Sequence, residues 1–103
     1  MYTVIETPTF QRLASDILSD DERELLISWI ASNPLVGEVM VGTDGLRKVR
    51  WSRTGMGKRS GSRVIYFNRL SMGEIVLLMI YAKAKLDNVR PEFLAKLKEQ
   101  FDG

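Results

Sequence analysis

Lys48 and Arg50 stand two residues apart in Leu46-Arg47-Lys48-Val49-Arg50-Trp51, a stretch that alternates polar and apolar positions. In a strand that spacing sets both cations side by side on one surface, with Arg47, Val49 and Trp51 on the other. Arg63 opens a second strand-like run, Arg63-Val64-Ile65-Tyr66-Phe67, and Tyr81 with Lys83 closes a third. Cations around a phosphate stabilise the charge that builds up in phosphoryl transfer, usually the largest catalytic contribution. As a set, these residue types suit that chemistry. Singly they read more plainly, Tyr81 as a core aromatic with its hydroxyl at the rim and Lys83 as a solvated strand end.

Other chemistries lack their reagents. The chain has no histidine and no cysteine. A typical zinc site, a thiolate site, a disulfide framework and a histidine-activated serine are therefore excluded. Asp20, Asp21 and Glu22 cluster at a helix start, where capping and the helix dipole account for them without a glycosidase-like pair. Gly55-Met56-Gly57-Lys58-Arg59-Ser60 has the look of a phosphate-cradling loop. However, Arg59 follows Lys58 where a Ser or Thr should bind magnesium, and Ser52 replaces the leading glycine. Those glycines instead suit a cationic loop that approaches a nucleic-acid backbone closely. No cofactor is expected.

The net charge of +2 hides an asymmetry. Residues 1–45 hold two basic groups against eight acids, residues 46–70 hold eight basic groups and no acid, and residues 71–103 hold five of each. Such a basic stretch suits a polyanion. Equally, folding could lay the acidic N-terminal third across it as a solvated ion-pair surface, and charge alone divides evenly between the two.

A chain of 103 residues supports one core, so a single domain over 1–103 is expected. The longest apolar run, Ile75 to Ala82, is far short of a membrane span, and the start shows no basic stretch followed by an apolar one. Neither a membrane association nor a secretory signal is expected. Tyr2 to Glu6 alternates weakly as a strand, and Thr9 to Asp16 forms a helix after Pro8 with Phe10, Leu13 and Ile17 on its buried stripe. Ser19 and Glu22 form a capping box for a second helix whose apolar face carries Leu25, Leu26, Trp29 and Ile30. Asn33-Pro34 stops it. Ser52 to Ser62 reads as a mobile basic loop, Ser71-Met72-Gly73 as a turn, and Glu74 to Ala82 as a strand buried on both faces. A last helix opens near Pro91, with Phe93, Leu94, Leu97 and Phe101 as its stripe. The order is strand, two helices, three strands, helix. It points to an α+β fold: a small, mostly antiparallel sheet with two N-terminal helices and a C-terminal helix.

From Phe10 to the last helix, the chain resembles the RelE/HigB superfamily of bacterial toxins, in particular its HigB-like branch. The resemblance rests on Leu18-Ser19-Asp20-Asp21-Glu22, Asn33-Pro34, the run Gly42 to Trp51, the run Gly55 to Phe67, and Ile80-Tyr81-Ala82-Lys83, in order and spacing. It implies a RelE-like fold and a ribosome-dependent endoribonuclease that cuts mRNA in the cytoplasm of a bacterium. The implied partners are the ribosome with its mRNA and a cognate helix-turn-helix antitoxin, HigA-like, through which alone DNA would be met.

The resemblance also implies roles. Lys48 and Arg50 match two basic residues that face the RNA from alternate positions of one strand, and Arg63 matches an arginine that contacts the scissile phosphate. Tyr81 and Lys83 are the candidates after the last strand, where Ala84-Lys85 departs from the Asn-Glu or Arg-Glu common in relatives. Tyr66 ranks lower, because it can simply pack within the sheet. Arg47, Arg53, Lys58 and Arg59 are expected to bind RNA around this centre.

The implied reaction is attack of a ribose 2′-oxygen on the adjacent phosphate. A free lysine titrates near about 10.4, so only about one in 10³ is neutral at pH 7. Arginine stays charged and suits a phosphate clamp. The general base stays open between Lys48, Lys83 and Tyr81. The same basic surface also suits a non-catalytic RNA- or ribosome-binding module, or a surface that pairs with an acidic protein.

Overall fold

Thr7 starts the first helix and ties it to the sheet at the same time. Its hydroxyl accepts from the Phe10 N–H at 3.2 Å and donates to the Leu77 carbonyl at 2.9 Å, so one buried side chain serves as both cap and anchor. The computed structural model describes residues 2–51, 61–82 and 90–102. Within them run β1 (Thr3–Glu6), α1 (Pro8–Ile17), α2 (Asp20–Ser32), β2 (Glu38–Val39), β3 (Arg47–Trp51), β4 (Ser62–Arg69), a single turn of 3₁₀ helix (Leu70–Met72), β5 (Glu74–Ala82) and α3 (Pro91–Asp102). The expected α+β class holds, with one strand more than the sequence suggested.

The capping box forms as read. The Ser19 hydroxyl accepts from the Glu22 N–H, and the Glu22 carboxylate accepts from the Ser19 N–H. α2 then buries Leu26, Ile30 and Ala31. Leu25, expected on the same stripe, is about half exposed. One helix turn offers the sheet a single face, and Leu25 lies one residue, about 100°, round from Leu26. Asn33 closes the helix, its amide donating to the Trp29 carbonyl at 2.8 Å just before Pro34.

The five strands are ordered β1-β5-β4-β3-β2. β1 runs parallel to β5 and the three other pairings are antiparallel, as the expected mostly antiparallel sheet requires. β5 is buried along its seven inner residues because helices cover both faces. On one face Phe10 and Ala14 of α1, Leu18 of the α1–α2 connection, and Leu26 and Ile30 of α2 meet Val49, Val64, Tyr66, Ile75, Leu77 and Ile80. On the other, Leu94 of α3 joins a cluster with Leu46, Ile65, Phe67, Val76, Leu78, Met79 and Tyr81. The β4–β5 register slips by one residue between Ile65 and Tyr66, which puts both Leu78 and Met79 in that second cluster.

α3 is held at its far end by rings and cations. Phe101 meets Phe67 edge-on at 6.2 Å, the Arg69 guanidinium lies 5.0 Å from the Phe101 ring centre, and Lys98 lies 5.1 Å from that of Phe67. Phe93, expected on the buried stripe, is half exposed. Among the described residues no helix is long and apolar enough to cross a membrane.

Candidate active site

β3 presents its cations because its other face is fully used. Val49 is buried in the helix-side core, and Trp51 packs its ring 5.3 Å from that of Trp29 on α2. With those residues turned inward, the two-residue period turns Lys48 and Arg50 outward on the opposite face, where both are exposed. Register then builds the site. Arg50 pairs directly with Arg63 on β4, and Arg63 pairs directly with Tyr81 on β5. Directly opposed residues project to the same side with Cβ atoms about 4.5–5.5 Å apart. A row therefore runs Arg50–Arg63–Tyr81 across three strands. The adjacent row runs Glu38–Lys48–Ile65–Met79 across four.

Burial grades along the first row. Arg50 is exposed, Arg63 is half-buried, and Tyr81 is 6% exposed. Two directly paired arginines, with a phenol at the inner end of the row, offer forked donors of the kind that suits an oxyanion. Among the described residues no ion pair from the acidic N-terminal third closes on these cations. Among the described residues, ion pairs join Arg23 to Glu6, Arg69 to Glu74 and Lys98 to Asp44, and none engages Lys48, Arg50 or Arg63.

Arg47 sits apart from these residues. It lies on the face of β3 that looks toward α1 and α2, with Val49 and Trp51, and its guanidinium donates to the Gly37 carbonyl at 2.6 Å. Tyr66 works beside it, directly across the β3–β4 ladder. Its hydroxyl accepts from the Gly37 N–H and donates to the Pro34 carbonyl, each at 2.9 Å, and the Asn68 amide reaches the same Pro34 carbonyl. Burial pushes the Tyr66 phenol up, against the opposing pull of the Gly37 hydrogen bond and the Arg47 charge. Together Arg47, Tyr66 and Asn68 satisfy the backbone of the α2–β2 connection and so seat β2 beside β3. Tyr66 thus packs within the sheet and anchors that connection.

Lys83, Arg53, Lys58 and Arg59 lie outside the described residues, as do the departure at Ala84-Lys85 and residues 52–60 of the loop expected over Ser52 to Ser62; Ser62 itself is no loop residue but the buried first residue of β4, paired with Trp51 and Ala82. Glu38 is the residue that sequence reasoning passed over. It belongs to a strand of two residues, too short for alternation to register, and only its pairing with Lys48 puts a carboxylate on the cationic face.

No protein-family model matches the chain. Among solved structures, the fold is similar to that of a mutant Escherichia coli toxin RelE in the free state. The TM-score is 0.58 and the identity 14%, over 94% of this chain and 96% of that one. The architecture is thus RelE-like.

Proposed function

We propose that this chain is a toxin of the RelE/HigB kind, of the HigB-like branch, that cleaves mRNA on the ribosome and is neutralised by a HigA-like helix-turn-helix antitoxin. The observation that carries this reading is the Arg50–Arg63–Tyr81 row on one face of a RelE-like sheet, exposed at its Arg50 end, with neither arginine held in an ion pair among the described residues. An extended cationic face fits a polymer backbone, and two arginines in register fit the charge that develops on one phosphate.

In this reading Arg63, the more buried of the pair, clamps the scissile phosphate, while Arg50 and Lys48 position the RNA from β3. Their charge favours the phosphorane over the ground-state diester, since the transition state carries the greater negative charge. The 2′-oxygen attacks the neighbouring phosphorus and the P–O5′ bond breaks, leaving a 2′,3′-cyclic phosphate and a 5′-hydroxyl. Charge stabilisation alone does not align the 2′-oxygen, so the ribosome supplies the in-line geometry and free RNA is a poor substrate. The site of action is the bacterial cytoplasm, and DNA is met only through the antitoxin.

The test is mapping of mRNA 5′ ends in a translating extract with the purified chain added. New ends within translated codons, absent with Arg63→Ala, are expected. A non-catalytic binding module using the same surface would yield no new ends, and its affinity would erode gradually with each cation removed. Unchanged cutting by Arg63→Ala would overturn the assignment.

A further inference from the structure

We propose that Glu38 is the general base of this site, accepting the proton from the attacking ribose 2′-hydroxyl; the inference rests on the ribonuclease reading above. Three observations lead to it. The β2–β3 register places Glu38 directly opposite Lys48, on the same sheet face as Arg50 and Arg63. Its side chain is exposed, and among the described residues no ion pair or hydrogen bond occupies it, unlike Glu6, Glu74 and Asp44, which are taken by Arg23, Arg69 and Lys98. The other polar groups of the two rows are Lys48, Arg50, Arg63 and Tyr81, so Glu38 is the one carboxylate of the two rows, an oxygen acceptor among nitrogen donors and a phenol.

Geometry and charge agree with that role. A phosphate held between Arg50 and Arg63 lies one and a half strand spacings from β2 and two residues along the strand, about 10 Å from the Glu38 Cα. A glutamate side chain and a ribose fill that gap between them. Glu38 approaches from the β2 edge, while Tyr81 lies on the far side of the clamp, so acceptor and leaving group take opposite ends of an in-line displacement. Lys48, across the strand from Glu38, offsets the repulsion that a carboxylate exerts on an incoming polyanion. The step balances as follows: the proton of the 2′-hydroxyl passes to the Glu38 carboxylate, the 2′-oxygen bonds to phosphorus, the P–O5′ bond breaks, and the 5′-oxygen takes a proton from water.

The chemical role and a merely electrostatic one predict opposite results. Removing a surface carboxylate from an RNA-binding face should tighten binding and leave cutting equal or faster if charge is all that matters. As general base, Glu38 is worth about 10²–10⁴-fold in rate.

The experiment is single-turnover cleavage of ribosome-bound mRNA, with excess protein, by the wild type, Glu38→Gln, Glu38→Ala and Arg63→Ala, alongside their ribosome affinities and thermal midpoints. Glu38→Gln is expected to bind at least as tightly as the wild type, unfold at the same temperature, and cleave at least about 10²-fold more slowly. Added formate is expected to restore part of the Glu38→Ala rate and to leave Arg63→Ala unchanged. A Glu38→Gln rate within threefold of the wild type overturns the inference, as does a slow Glu38→Ala that formate does not rescue. Cleavage by the wild type that Arg63→Ala abolishes keeps the ribonuclease reading even if Glu38 fails. A wild type that never cleaves removes the reading and this inference together.

Discussion

Arg50 and Arg63 face each other directly across the β3–β4 ladder, a like-charged pair at a position where an opposite-charge or apolar pair would stabilise the sheet. Among the described residues no carboxylate bridges them. The arrangement makes sense as a site that awaits an anion. Replacing Arg63 with Val should therefore raise stability by about 0.2–1 kcal/mol, seen as a higher urea midpoint, while removing cleavage. A lower midpoint would show that the pair is not repulsive in the free protein.

The contact between Gly37 and Tyr66 sets where β3 lies. A Cβ at Gly37 would come within 2.9 Å of the Tyr66 ring and hydroxyl and 3.1 Å of the Lys48 carbonyl oxygen. Gly37→Ala should destabilise the fold by about 1–3 kcal/mol, as overpacked positions do, and should slow cleavage because the displaced backbone carries Lys48. Tyr66→Phe leaves the buried Gly37 N–H without its acceptor and should lose about 1–3 kcal/mol with the cleavage rate of the folded fraction retained. Denaturant midpoints and single-turnover rates on the two variants check both statements.

Stability should also respond to alkali through Tyr66. Burial pushes its phenol above the ordinary value of 10.0, more than the Gly37 hydrogen bond and the Arg47 charge pull it down. The folded state thus holds that proton more tightly than the unfolded chain does. The associated stability is complete below the unfolded value and is lost as pH rises through the higher, folded one. The difference in urea midpoint between wild type and Tyr66→Phe should be constant around neutrality and shrink above about pH 10. A gap that stays constant into alkali would contradict the assignment.

Binding should divide by sheet face. Each phosphate contact on single-stranded RNA contributes about 0.7 to the slope of log affinity against log salt. Arg50→Ala should lower that slope by about this amount. Arg47→Ala, whose guanidinium holds the Gly37 carbonyl on the other face, should leave it unchanged. Equal losses for the two variants would mean that RNA does not distinguish the faces.

Much of this architecture was legible from local chemistry. Ser19 and Glu22 announce α2 because the capping box is a contact between residues three apart. The alternation from Arg47 to Trp51 puts Lys48 and Arg50 on one surface because a strand has a period of two. The rest depends on distant partners. β2 has two residues and exists only through its pairing with β3, so Glu38 carried no sequence signal of its own. Leu25 and Phe93 satisfy a helical stripe yet stay half exposed, since periodicity gives a direction and not the width of the surface that covers it. Arg47 reads as one more cation in a basic run, and only the fold supplies the carbonyl that engages it.

Arg63 and Arg47 offer the most direct comparison, since each substitution removes one guanidinium and they lie on opposite faces of the same sheet. The measurement is the single-turnover rate of ribosome-bound mRNA cleavage for Arg63→Ala and Arg47→Ala, each corrected for the folded fraction. A fall of at least about 10²-fold for Arg63→Ala is expected, the scale of losing one group that stabilises transition-state charge, with Arg47→Ala close to the wild type. Equal rates for the two variants, or a larger loss for Arg47→Ala, would contradict a catalytic row of cations on the α3 side of the sheet.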